Sequence, residues 1–147
     1  MVVSFMSYTY QYPRPALTVD AIVTAERNGE QWVLLIRRKA YPFEGRWALP
    51  GGFVNMDETL AESCQRELEE ETGLTGVTLK QFYTFDSVDR DPRARTISVI
   101  FTGQISEPVP VRGGDDAMEA EWFPIISLPE MAFDHSEIIQ KFVMEVF

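Results

Sequence analysis

Only one of the 147 residues is a cysteine and only one a histidine, and no lysine or arginine precedes Arg14. A lone Cys64 excludes an internal disulfide and fits a reducing compartment. The missing basic residues at the start exclude the charged region of a secretory leader. No stretch approaches the ~18 consecutive apolar residues that a membrane span needs. Positive charge is scarce: 13 basic against 23 acidic residues leave a net charge of −10. That balance argues against a nucleic-acid polymer held on a broad basic face, yet allows a small anionic ligand where a metal or a local basic cluster offsets repulsion. Repeats and low-complexity tracts are also absent. What is present is 45% hydrophobic and 12% aromatic content, enough for a sizeable core and unlike a disordered chain. The expectation is one soluble, cytoplasmic domain over residues 1–147.

Residues 1–15 form an aromatic-rich extension broken by Pro13 and Pro15. A β-branched run at 16–26, an Asn28-Gly29 turn and QWVLLIRR at 31–38 read as a hairpin. A loop-rich stretch follows at 39–57 around the apolar Trp47-Ala48-Leu49. Thr59 to Thr72 reads as a helix, with Thr59 and Glu62 spaced as a capping box and Gly73 at its end. Strand-like runs occupy 77–88, 95–105 and 120–123. A second helix is expected over 135–146, with Asp134 and Glu137 as another capping box. Strands interrupted by one internal and one terminal helix predict a mixed α/β (α+β) domain with a helix-covered sheet.

Seven of the 23 acids fall between Asp57 and Glu71. At 3.6 residues per turn, Glu67, Glu70 and Glu71 project within an arc of roughly 100°. Like charges at i,i+3 and i,i+4 cost about 0.2–0.5 kcal/mol per pair, and the helix dipole disfavours anions at the C-terminal end. Leu60, Cys64 and Leu68 form the neighbouring apolar stripe, so the acids border the core. A solvated acidic face is one reading. A divalent cation that turns repulsion into coordination is the other, and carboxylates without paired His or Cys favour Mg²⁺ or Mn²⁺ over zinc. Because Mg²⁺ commonly completes its shell with substrate phosphates, the second reading points to phosphate chemistry.

Residues 52–74, GFVNMDETLAESCQRELEEETGL, resemble the signature box of the Nudix hydrolases. Gly52, Glu58, Arg66, Glu67, Leu68, Glu70, Glu71, Gly73 and Leu74 fill every specified place. The resemblance implies an αβα sandwich and Mg²⁺-dependent hydrolysis of a nucleoside diphosphate linked to another moiety. It assigns metal binding to Glu67, Glu70, Glu71 and the carbonyl of Gly51, with Glu67 also a candidate base. Arg66 would orient Glu70, and Glu58 would act as a brace. Gly51 and Gly52 are expected in a turn.

Outside the box, DRDPRAR at 89–95 resembles a segment of an ADP-ribose pyrophosphatase group, as do Tyr12-Pro13-Arg14-Pro15 and Ala132-Phe133-Asp134-His135. The residues before it, Asp86-Ser87-Val88, and Ala94 depart from that group's pattern. Seven of the 13 basic residues lie in two segments: Arg37, Arg38, Lys39 and Arg46, then Arg90, Arg93 and Arg95. Arg37, Arg46, Arg90, Arg93 and Arg95 are the candidate substrate contacts, since guanidinium forks match phosphate geometry. The alternative is that Asp89 and Asp91 pair with these arginines to tie down a loop. Trp47, Tyr83, Phe85 and Trp122 are either core residues or an adenine platform. Of the acids at 115–121, Glu119 is the first choice for a further catalytic carboxylate. His135 has a helix-start role or an acid–base one, and Cys64 reads as a buried small residue. ADP-ribose is the expected substrate. A nucleoside triphosphate is the rival, and a nucleotide-sensing regulator the rival from another class. Aromatics at both ends (Phe5, Tyr8, Tyr10, Tyr12 and Phe147) suggest a homodimer.

Overall fold

The computed structural model describes residues 7–147. Its elements are β1 (Ala16–Arg27), β2 (Glu30–Arg38), β3 (Trp47–Ala48), β4 (Gly51–Phe53), α1 (Leu60–Thr72), β5 (Lys80–Phe85), β6 (Thr96–Ile105), β7 (Ala117–Pro124) and α2 (His135–Val146). The strands form one mixed sheet in the order β3-β2-β1-β6-β5, with β4 on β1 and β7 on β2. Only β1 and β6 run parallel, pairing from Ala16–Thr96 to Ala25–Ile105.

β1 is buried over Thr18–Ala25 because both sheet faces are covered, so its sequence lacks the alternation of a half-exposed strand. Its side chains still alternate by layer. Val19, Ala21 and Val23 pack with Leu34, Cys64 and Leu68 on the α1 side. Ile22 joins Val33, Leu35, Ile100, Ile138, Ile139 and Phe142 on the α2 side. The result is the expected αβα sandwich. No helix among the described residues is long and apolar enough to cross a membrane.

α1 has both ends as predicted. Thr59 Oγ1 accepts the Glu62 N–H (3.1 Å), Glu62 Oε1 accepts the Thr59 N–H (3.3 Å), and Gly73 closes the helix at φ 76°. Three expectations need correction. The strand expected over 77–88 spans only Lys80–Phe85, because Val77 is buried in the α1-side core instead. Gly51 and Gly52 lie in a strand rather than a turn. Asp134 makes no side-chain cap on α2, since its carboxylate is taken by the buried Arg90. Phe5 lies outside the described residues. Tyr8, Tyr10, Tyr12 and Phe147 are exposed, with Tyr8 stacked on Tyr10 and Arg14 over the Tyr10 ring.

Leu68 is fully buried between α1 and the sheet. Leu68→Ala is therefore expected to cost about 2–5 kcal/mol, read as a lower denaturant midpoint with an unchanged slope.

Candidate active site

A cavity of about 370 Å³ opens where β1, β4 and α1 meet the 89–95 loop and the start of α2. One wall is set by the approach of α1 to β4. A Cβ on Gly51 would meet the Val19 carbonyl and the Asp20 carboxylate, and one on Gly52 would stand 2.6 Å from the Glu67 carboxylate. Gly52 is needed for the approach to the helix, and Gly51 for the fit of β4 against β1. The Gly51 N–H donates to Glu71 Oε1 (2.8 Å), and burial pushes the Glu71 carboxyl up to about 9, with Glu67 and Asp20 adding to the rise. Burial also raises Glu67 and Glu70, against the pull of Arg66.

Arg66 ties these acids together. Its Nε and Nη2 reach Glu58 at 2.7 and 2.9 Å, its Nη1 reaches Glu67 at 2.7 Å and Glu70 at 3.3 Å, and Nη2 also donates to the Phe53 carbonyl. Glu70, the partner expected from i,i+4 spacing, is its most distant carboxylate. Glu58 accepts a third hydrogen bond from Ser63 Oγ, and Arg66 holds its carboxyl at about 2.

Glu67, Glu70 and Asp115 each place a carboxylate oxygen within 4.8 Å of the others. Glu119 does not join them: on β7 it lies opposite Arg37 of β2, and the two form an ion pair at 3.2 Å. Asp115 reaches the group because the preceding loop packs directly on α1. A Cβ on Gly114 would stand 2.5 Å from the Glu70 carbonyl, and Asp115 adopts φ 52°, which Asp tolerates better than most residues. Two adjacent glycines before an Asp-Asp pair were the available sign.

The opposite wall carries arginines, but not the full set expected. Arg37 pairs with Glu119, Arg46 with Glu130, and Arg95 donates to the Asp86 carbonyl; none of the three lines the cavity. Arg90 and Arg93 do line it, joined by Arg38, which sequence reasoning had left out of the contact set. The Arg90 side chain is only 4% exposed and is held by Asp134 at 2.7 and 3.0 Å and by Ser98 Oγ at 2.7 Å. Ser98 in turn hydrogen-bonds Thr18. Arg93 pairs with Asp91 and stands over the Phe53 and Phe133 rings.

The aromatic candidates are displaced as well. Trp47, Phe85 and Trp122 pack against the two cores, and Tyr83 lies under Lys141 on the outer strand. The cavity's own aromatics are Tyr41, Phe53 and Phe133. His135 Nδ1 accepts the Leu49 N–H (3.0 Å), which fixes the loop before the box. Burial, then Arg90 and Arg38, push its pKa down to about 4 despite Asp134, so it stands neutral. Buried Cys64 has its thiol pushed up to about 12.

The NUDIX domain model matches residues 14–142. This chain belongs to the NUDIX family. It is 42% identical to the ADP-ribose pyrophosphatase of Methanocaldococcus jannaschii, over 90% of this chain and 75% of that one. Identity to the ADPR-responsive transcriptional repressor NtrR of Acinetobacter baylyi is 33%, over 88% of this chain, which spans about half (54%) of the repressor. The NUDIX domain of Shewanella oneidensis NrtR, solved with ADP ribose, superposes with a TM-score of 0.86 at 28% identity, covering 92% of this chain and 91% of that one. The chain is thus a Nudix pyrophosphohydrolase.

The Glu58–Arg66 pair has a pH signature. A folded-state pKa of about 2 against an ordinary 4.5 means its stabilisation is complete above pH 4.5 and is lost as pH falls through 2. Glu58→Gln should lower the melting temperature at pH 7 and flatten its decline between pH 4.5 and 2.

Proposed function

We propose that the protein is a cytoplasmic, Mg²⁺-dependent ADP-ribose pyrophosphatase that releases AMP and ribose 5-phosphate, a single domain over residues 1–147 acting as a homodimer. The observation that carries the substrate is the 42% identity to an ADP-ribose pyrophosphatase across 90% of the chain. The net charge of −10 supports a small-molecule partner over a nucleic-acid polymer.

The donor set fits a hard divalent cation. Glu67, Glu70 and Asp115 offer oxygens close together, and Glu71 is a buried carboxyl that a nearby cation would bring back to its ionised form. In this reading Glu67, Glu70, Glu71 and the Gly51 carbonyl hold the metal, and Asp115 replaces Glu119 as the additional carboxylate. Mn²⁺ would serve the same all-oxygen set. Bound there, the ion would neutralise the pyrophosphate and lower the pKa of an attacking water. The chain's own residues orient the parts. Arg66, braced by Glu58, fixes Glu67 and Glu70, while Gly52 lets Glu67 approach the strand without a side chain between them and the Gly51 N–H holds Glu71. Arg38, Arg90 and Arg93 line the cavity across from these acids.

A product-resolved screen of ADP-ribose, NADH, sugar nucleotides and dNTPs, with and without Mg²⁺, tests the reading. ADP-ribose should give the highest kcat/KM, and chelation should abolish turnover. Glu71→Gln keeps side-chain volume and the Gly51 hydrogen bond but removes a ligand charge. Its turnover should fall by orders of magnitude, while the metal-free melting temperature holds or rises, because a buried amide avoids the cost of protonating a carboxyl at neutral pH. Near-normal turnover in Glu67→Gln, Glu70→Gln and Glu71→Gln alike would overturn the assignment. Light scattering at micromolar concentration should return twice the 16.8 kDa chain mass, and a monomer mass would end the dimer proposal.

A further inference from the structure

The three guanidinium groups on the cavity wall are not equivalent. Arg90 is matched by Asp134 through two hydrogen bonds. Arg93 is matched by Asp91, a carboxylate only 3% exposed, which accepts from Nε at 3.1 Å, from Nη2 at 2.8 Å and from Arg93's own backbone N–H at 2.9 Å. Arg38 forms no ion pair among the described residues. Its Nε donates to the Pro42 carbonyl, its plane stands 5.0 Å from the Phe133 ring centre, and neither Nη has a hydrogen-bond partner there. Arg93 also stands 5.5 Å from that ring centre, and the two like charges repel. Burial and that repulsion lower the Arg38 pKa from its ordinary value, against the pull of Glu71, Asp116 and Asp91, none of which comes within ion-pair distance of it.

We propose that Asp91 and Asp134 set the charge of the substrate this pocket accepts: by cancelling Arg93 and Arg90, they leave Arg38 as the one wall guanidinium free for a phosphate, which suits a pyrophosphate diester and disfavours a triphosphate. The proposal rests on the pyrophosphatase reading and deepens it to a substrate class. A pyrophosphate diester carries about two negative charges, a nucleoside triphosphate about four. The surplus charge of the triphosphate would find no further free guanidinium on this wall and would lie in a cavity that Asp116 also lines. In a partly buried cavity such unmatched charge is screened far less than in water, so it rejects the wrong ligand effectively. Arg38 contacts the anion directly, whereas Asp91 is a positioning residue that acts through Arg93.

The test compares kcat and KM for ADP-ribose, NADH and ATP at fixed Mg²⁺. Arg38→Ala should raise KM for the diesters about 10- to 150-fold, the worth of one hydrogen bond to a charged group, with kcat changed little and the melting temperature unmoved. Arg27→Ala, which removes the same charge seven residues beyond Asp20 on β1, should change neither constant. Asp91→Asn keeps an acceptor for the Arg93 N–H while releasing its charge. It should raise kcat/KM for ATP relative to ADP-ribose by about tenfold or more, in line with a freed charged contact. Should it fail to fold, Asp91→Ser serves the same comparison. An unchanged KM in Arg38→Ala, an unmoved ATP to ADP-ribose ratio in a folded Asp91 variant, or a wild-type preference for ATP would each overturn the proposal. A wild-type preference for NADH over ADP-ribose would instead sink the ADP-ribose assignment and leave the charge rule standing.

Discussion

The contact between α1 and β4 is the constraint on which the rest of the site depends. Gly52, lacking a Cβ, lets the Glu67 carboxyl lie against the strand, and the Gly51 N–H holds the Glu71 carboxyl there. That approach removes water from acids that a helix surface would otherwise leave solvated, and it raises their affinity for protons. The helix can tolerate this only because Arg66, anchored by Glu58, supplies a fixed counter-charge at its exposed side. A row of acids that local helix energetics disfavours is thereby held ready for a cation. The sandwich acts as the frame for that one contact: Leu68 and Cys64 seat the other side of the helix on the sheet.

The longer strands, both helices and the box were legible in the sequence because they rest on local signals, whereas the short β3 and β4 read as loop and turn. Period, caps and turn residues specify α1 to within one residue at its start, and the box places its acids on one face. What escaped was decided by contacts distant in the chain. Asp134 reads locally as a helix cap, but Arg90, 44 positions earlier, needs its charge more. Glu119 reads as the acid nearest a catalytic role, yet strand register sets it opposite Arg37, while a glycine loop carries Asp115 inward. Arg38 looks interchangeable with Arg37 in the sequence. Adjacent strand residues face opposite sides of a sheet, so one lines the cavity and the other does not.

Two of the three short motifs outside the box, 89–95 and 132–135, form one device in space. Arg90 of the 89–95 segment binds Asp134, Arg93 stands over Phe133, and His135 holds the loop at Leu49. Their joint appearance in the sequence is thus a matter of mutual contact: each is incomplete without the other. The cavity is closed on this side by a loop and a helix start that share no backbone ladder.

The parallel pairing of β1 with β6 bears on how the chain reaches this state. β1 is the central strand, yet its long partner begins 80 residues later, at Thr96 opposite Ala16. Pairing of such sequence separation must close a long loop before it is rewarded, which slows folding. During synthesis, the hairpin of β1 and β2 can form early, but one edge of β1 stays largely open until residues 96–105 have emerged. Until then the strand with the longest buried run, Thr18–Ala25, is an unprotected edge, the kind of surface that recruits other chains. The nascent chain is thus most exposed to aggregation while its catalytic helix is already made but has no complete sheet to rest on.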